Sequence, residues 1–142
     1  MTIKSRNGQS LVEFALVLPL LVILTFGIIE FGLILFDKAV ITNASREGAR
    51  VGIVAQDRSN IALIKTQIEN TVRNYAEAHL ITFGNRATAL QVDEPTFLPD
   101  TTFGSNLTVT VRYNYEFVVL PNFITTMANP LVMEATTVMK LE

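Results

Sequence analysis

Lys4-Ser5-Arg6-Asn7-Gly8-Gln9-Ser10-Leu11-Val12-Glu13-Phe14 opens the stretch that decides the fold. It leads from a short basic segment into an apolar run from Leu11 to Phe36, interrupted by Glu13, Pro19 and Glu30. A bilayer span needs about 20 residues at 1.5 Å rise each, so the run is long enough to cross. Lys4 and Arg6 precede it with no acid before Glu13. By the positive-inside rule the N-terminus is expected in the cytoplasm and the residues after Phe36 outside, in a single pass. Asp37 and Lys38 cancel each other and do not oppose that orientation. A cleaved secretory signal fits less well. Its apolar core would be about 7–15 residues and would end at a small-residue site, whereas the nearest pair here, Thr42 and Ala44, is a poor one.

Pro19 removes the hydrogen bond to the Ala15 carbonyl and is expected to kink or loosen the helix. Such a defect is tolerable in a bilayer where neighbouring helices cover it. No proline follows until well past Val54, so the helix is expected to continue outside the membrane. Ala44, Gly48 and Gly52 lie four apart on one face of that extension. Two readings stand: close approach of another subunit's backbone, or packing against this protein's own sheet.

Working outward, Ser59 or Asn60 can cap a second helix running to about His79. Ile61, Ile64, Ile68, Val72 and Tyr75 form its apolar stripe, and Lys65, Glu69, Arg73 and Glu77 its solvated face. Gln56–Arg58 is the expected turn between the helices. Residues 82–106 read as loop, with Gly84, Pro95, Pro99 and Gly104 and a short strand over Ala89–Val92. Leu107–Val119 alternates apolar and polar residues and reads as a strand with its odd positions facing a core. Pro121-Asn122 and Asn129-Pro130 mark breaks. Leu131–Leu141 alternates again and is the expected antiparallel partner. The fold class is α+β: a long N-terminal helix, a second amphipathic helix and a small antiparallel sheet. Residues 1–8 form a leader, 9–36 the membrane helix and 37–142 an extracytoplasmic domain.

Composition narrows the functions. The 142 residues contain no Cys and one His, so neither a thiolate nor a usual zinc set is available. His79 falls at a helix end, where it caps or solvates the terminus. The formal charge is −2 with no basic patch, which argues against nucleic acid. No nucleotide-binding glycine motif or nucleophile elbow is present. Asp93-Glu94 and Asp100 fall in a loop, solvated or holding a cation. Nothing indicates an enzyme or a cofactor.

Three blocks carry a resemblance: Gly8-Gln9-Ser10-Leu11-Val12-Glu13-Phe14-Ala15-Leu16-Val17-Leu18-Pro19, then Phe26-Gly27-Ile28-Ile29-Glu30-Phe31-Gly32, then Asn43-Ala44-Ser45-Arg46-Glu47-Gly48-Ala49-Arg50. In order and spacing they resemble the TadE-like family of tight-adherence (Flp) pilus systems, pseudopilins of type IV pilin-like design. The resemblance covers about the first third of the chain. It implies a minor pilin-like component acting in pilus assembly or adhesion, held in the cytoplasmic (inner) membrane or carried from it into a surface pilus. It implies removal of the leader by a prepilin-type aspartic peptidase between Gly8 and Gln9, moving the formal charge from −2 to −4. Implied partners are that peptidase, other pilins or pseudopilins (a second TadE-like or a TadF-like chain), the assembly platform and membrane lipid.

Gly8 leaves the peptidase cleft unobstructed and lets the chain extend there. Gln9 departs from type IV pilins, which tend to begin with an apolar residue. Glu13 is fifth in the expected mature chain, and a carboxylate near the bilayer centre costs on the order of 2.5–3.5 kcal/mol, less near the interface. Read alone it snorkels to the headgroups or pairs within the membrane. The resemblance implies pairing with the new α-amino group of a neighbouring subunit, next to Phe14. Glu30 lies about 25 Å further along, between Gly27 and Gly32. It reads either as a polar contact to another subunit or the platform, or as an interfacial carboxylate hydrated from outside. Glu47 and Arg50 are spaced to pair, worth a few tenths of a kcal/mol, and the surrounding motif reads as structural. The alternative function is an uncleaved membrane-anchored binding module with a ligand pocket in residues 82–130. A secreted hydrolase on a signal anchor is remote, since no nucleophile–base set is present.

Overall fold

The computed structural model describes residues 6–55, 58–81, 90–117 and 131–141. Helix α1 runs unbroken over Arg6–Val54, 49 residues including Pro19, about 70 Å long. Helix α2 covers Ile61–His79. Asn60 caps it, its side-chain oxygen accepting from the Leu63 N–H at 3.1 Å, which satisfies one of the helix's orphan donors. Ile64, Ile68, Val72 and Ala76 are its buried face. Ala76 thus belongs to the stripe, whereas Ile61 at its start is exposed and Tyr75 only half-buried.

The sheet has four antiparallel strands, β1 Leu90–Val92, β2 Thr96–Leu98, β3 Asn106–Tyr115 and β4 Leu131–Lys140. Strand β3 is central. Strand β4 pairs along its whole length, from Asn106 opposite Lys140 to Tyr115 opposite Leu131. Strands β1 and β2 share the other edge, opposite Val111–Tyr113 and Asn106–Thr108. Strand β2 is absent from the sequence reading. The expected β3 ended at Val119, but the strand ends at Tyr115, with Val118 and Val119 outside the described residues. Gly84, Pro121-Asn122, Asn129-Pro130 and the Gln56–Asp57 part of the turn also lie outside them.

Alternation decides which sheet face is covered. Leu107, Val109, Val111, Tyr113 and Tyr115 of β3, with Met133 and Ala135 of β4, are buried. They meet Val40, Ile41 and Ala44 of α1 and the stripe of α2 in one core. Two helices therefore lie on one face of the sheet. Thr137 occupies an inward position on β4 without burying an apolar group: its hydroxyl hydrogen-bonds Ser45 Oγ of α1 at 2.6 Å. The opposite face is polar, with Thr110 bonded to Thr136 and Arg112 bridging Glu134 and Asp93.

Candidate functional site: the two halves of the long helix

Helix α1 changes environment along its length. From Leu11 to Ile29 its large side chains stand exposed, and the most apolar window has a mean hydropathy of 2.6 with none of it buried. Glu30 is the first buried residue. From there the helix carries the domain on one side.

The N-terminal half holds the expected processing and assembly residues. Gly8 and Gln9 lie in the first turns of α1 and are exposed. Glu13 and Phe14 are also exposed, and Glu13 makes no hydrogen bond or ion pair with the described residues. Pro19 sits inside the helix without ending it. Gly27 and Gly32 face open space, with nothing within 4 Å of where a Cβ would stand.

Glu30 is placed differently from either sequence reading. It is 1% exposed, and the Tyr115 hydroxyl donates to its Oε1 at 2.6 Å. It is thus neither hydrated from outside nor presented to another subunit. An acid from the helix and a hydroxyl from the sheet, 85 residues apart, close on each other where the domain begins. Tyr115 also packs edge-to-face with Tyr113 and Phe117. Burial and the hydrogen bond to Glu30 push its phenol well above the ordinary range.

Asp37 and Lys38 do not offset each other at the membrane surface, as the sequence suggested. Asp37 is fully buried, and its Oδ1 accepts from the Ile81 N–H at 3.1 Å. Its Oδ2 has no hydrogen-bond partner among the described residues. Burial raises its pKa, the Ile81 hydrogen bond opposing, because a lone carboxylate is costly away from water. Burial also pushes Tyr113 up to about 12, with the nearby charges of Asp37 and Glu116 adding to it. Lys38 instead reaches the Glu134 carbonyl of β4.

The third sequence block is divided by the helix period. Ala44, Ser45, Gly48 and Ala49 are buried. A Cβ on Gly48 would stand 2.5 Å from Val72 Cγ2 and 3.3 Å from Ile68 Cγ2. One on Gly52 would collide with Leu107 and come 2.8 Å from Ile68 Cδ1. The structure therefore seats the Ala44–Gly48–Gly52 stripe on α2 and β3 of the same chain. Arg46 and Arg50 point outward and Glu47 is half-buried. Glu47 and Arg50 do not form the expected pair; none of the three makes a hydrogen bond or ion pair among the described residues.

The loop acids are committed elsewhere. Asp93 bonds Arg112, Glu94 bonds Lys65 at 2.6 Å, and Asp100 accepts from Thr102 and Ser105 within its own turn. Among the described residues no three His, Asp or Glu side chains converge as a metal site. His79 ends α2, its ring stacked on Tyr75 and bonded to the Tyr75 carbonyl.

Among the described residues one helix is thus long and apolar enough to cross a membrane, and it continues into the spine of a small α+β domain. Residues 8–50 match the family model described as TadE-like protein, the family that the three blocks resemble. The match ends within α1 and covers neither α2 nor the sheet. No curated protein and no solved structure matches the chain.

Proposed function

We propose that this chain is a pilin-like minor component of a tight-adherence pilus system, anchored by α1 in the inner membrane with its domain outside. The family match over residues 8–50 carries this reading. It spans the expected cleavage glycine, Glu13 and the whole apolar half-helix. The division of α1 at Glu30 supports it. Residues 9–29 make about 31 Å of helix, close to the roughly 30 Å of a bilayer core. A prepilin peptidase would free the Gln9 amine, and Glu13 of one subunit would pair with the amine of another. Glu13 makes no hydrogen bond or ion pair among the described residues, and the amine would exist only after cleavage, so the pairing would couple processing to assembly. Phe14 and the open Gly27 and Gly32 faces would pack neighbouring membrane helices.

The test is Glu13→Ala in the native host. Cleavage should persist while co-isolation with the other pilins falls to background. Normal assembly in this variant would remove the role of Glu13. An intact N-terminus would favour an uncleaved, membrane-anchored binding module.

A further inference from the structure

The apolar run of α1 is longer than a bilayer is thick. Residues 9–36 make about 42 Å of helix against roughly 30 Å of hydrocarbon. The domain covers one side of the surplus, with Glu30 and Asp37 buried and Leu33 and Ile34 packed on the core. The other side is bare: Phe31, Leu35 and Phe36 are 60%, 54% and 46% exposed, and Ala39 follows them. About two to three turns beyond Ala39, the same side carries Arg46, Glu47 and Arg50, all without partners among the described residues. Beside them is a hollow of about 460 Å³ lined by Glu47, Arg50, Val51, Val54 and Ala55.

We propose that this face docks a second copy of the chain, α1 alongside α1 in parallel, with Glu47 of each copy against Arg50 of the other. Three observations select that occupant. The charges are self-complementary, an acid flanked by two bases on one helix side. Two copies anchored by the same end of the same helix meet in parallel and at the same height, which brings like-numbered residues to one level. The apolar stretch from Phe31 to Ala39 lies directly below and needs covering over that same length. The outer edge of β4 is a poorer route. Tyr115 lies at Glu30 and Leu107 at Gly52, so β3 runs against α1 and β4 along it. Antiparallel pairing of two β4 edges would point the two anchors in opposite directions.

The contact is independent of leader removal and of any other pilus protein, so its test is separate from that of the proposed function. The natural chain has no Cys, which makes single-cysteine crosslinking clean. Full-length Ala39→Cys and Val54→Cys chains, each produced alone in a bacterial inner membrane, are oxidised and run on denaturing gels. Asn74→Cys, on the exposed side of α2, is the control. Covalent dimer is expected at 39 and 54 well above the control. Glu47→Arg in the Val54→Cys chain should lower it about tenfold through like-charge repulsion. Adding Arg50→Glu should restore it. No dimer above the control, no effect of Glu47→Arg, or no recovery in the double swap would each overturn the proposal.

Discussion

Tyr115→Phe removes one oxygen atom at the junction of helix and domain. The ring remains, with its edge contacts to Tyr113 and Phe117, so the change isolates the 2.6 Å bond to Glu30. Both residues are nearly inaccessible to water, and water does not replace the lost donor. A hydrogen bond to an acid contributes about 1.5–3 kcal/mol, and leaving a buried group short of a partner costs a similar amount. For a domain of roughly 100 residues this lowers Tm by about 4–8 °C per kcal/mol. Glu30→Leu alone strands the Tyr115 hydroxyl and should cost as much. Replacing both residues leaves no orphan, so the double variant should lose less than the sum of the singles, with a coupling of about 1–3 kcal/mol. The assay is thermal unfolding of the full chain in detergent, followed by circular dichroism. Additive losses, or a Tyr115→Phe Tm equal to that of the natural chain, would refute a direct Glu30–Tyr115 bond as the clasp between helix and sheet.

Gly48→Leu should destabilise by about 3 kcal/mol in the same assay, because Val72 and Ile68 already occupy the space of its first carbon. Gly48→Ala should fall between it and the natural chain, since helix propensity returns about 1 kcal/mol. The raised pKa of Asp37 gives pH a definite sign. The folded state holds the proton more tightly than the unfolded chain, so this contribution is complete below the ordinary carboxylate pKa of 3.8 and lost as pH rises through the raised one. Tm of Asp37→Asn relative to the natural chain should therefore increase with pH above about 4; a pH-independent difference would contradict the buried carboxyl. Glu13→Ala should leave these melting curves unchanged, because the side chain is exposed and makes no hydrogen bond or ion pair among the described residues.

Periodicity made most of the fold legible. The alternation of Leu107 to Tyr115 named the covered face of β3, and Ile64, Ile68 and Val72 named that of α2. The unbroken text after Phe36 carried α1 beyond the apolar run, although its start at Arg6 lies inside the expected leader. Strand β2 escaped because Thr96–Leu98 lies between Pro95 and Pro99, and three residues are too few to show a period. The fate of Glu30 escaped for another reason. A helix period says which side a residue faces but not what arrives there from 85 positions away. A signal was present: an acid in an apolar helix and a tyrosine on the core side of a strand each require a buried partner, and one donates where the other accepts. Beside the end of the apolar run Asp37 reads as the charge that cancels Lys38, yet it falls seven residues after Glu30, on the same helix face. The small-residue stripe was legible as a close contact, but periodicity could not name its partner, and the structure supplies α2 and β3.

The most direct test of the proposed function is the N-terminal residue and intact mass of the chain isolated from its native membrane, with and without an active prepilin peptidase. The predicted result is a chain beginning at Gln9 when the peptidase is active and retaining Lys4 and Arg6 when it is not. A chain that keeps its leader in both membranes would contradict pilin-like processing, and the pairing of Glu13 with a free Gln9 amine would fall with it.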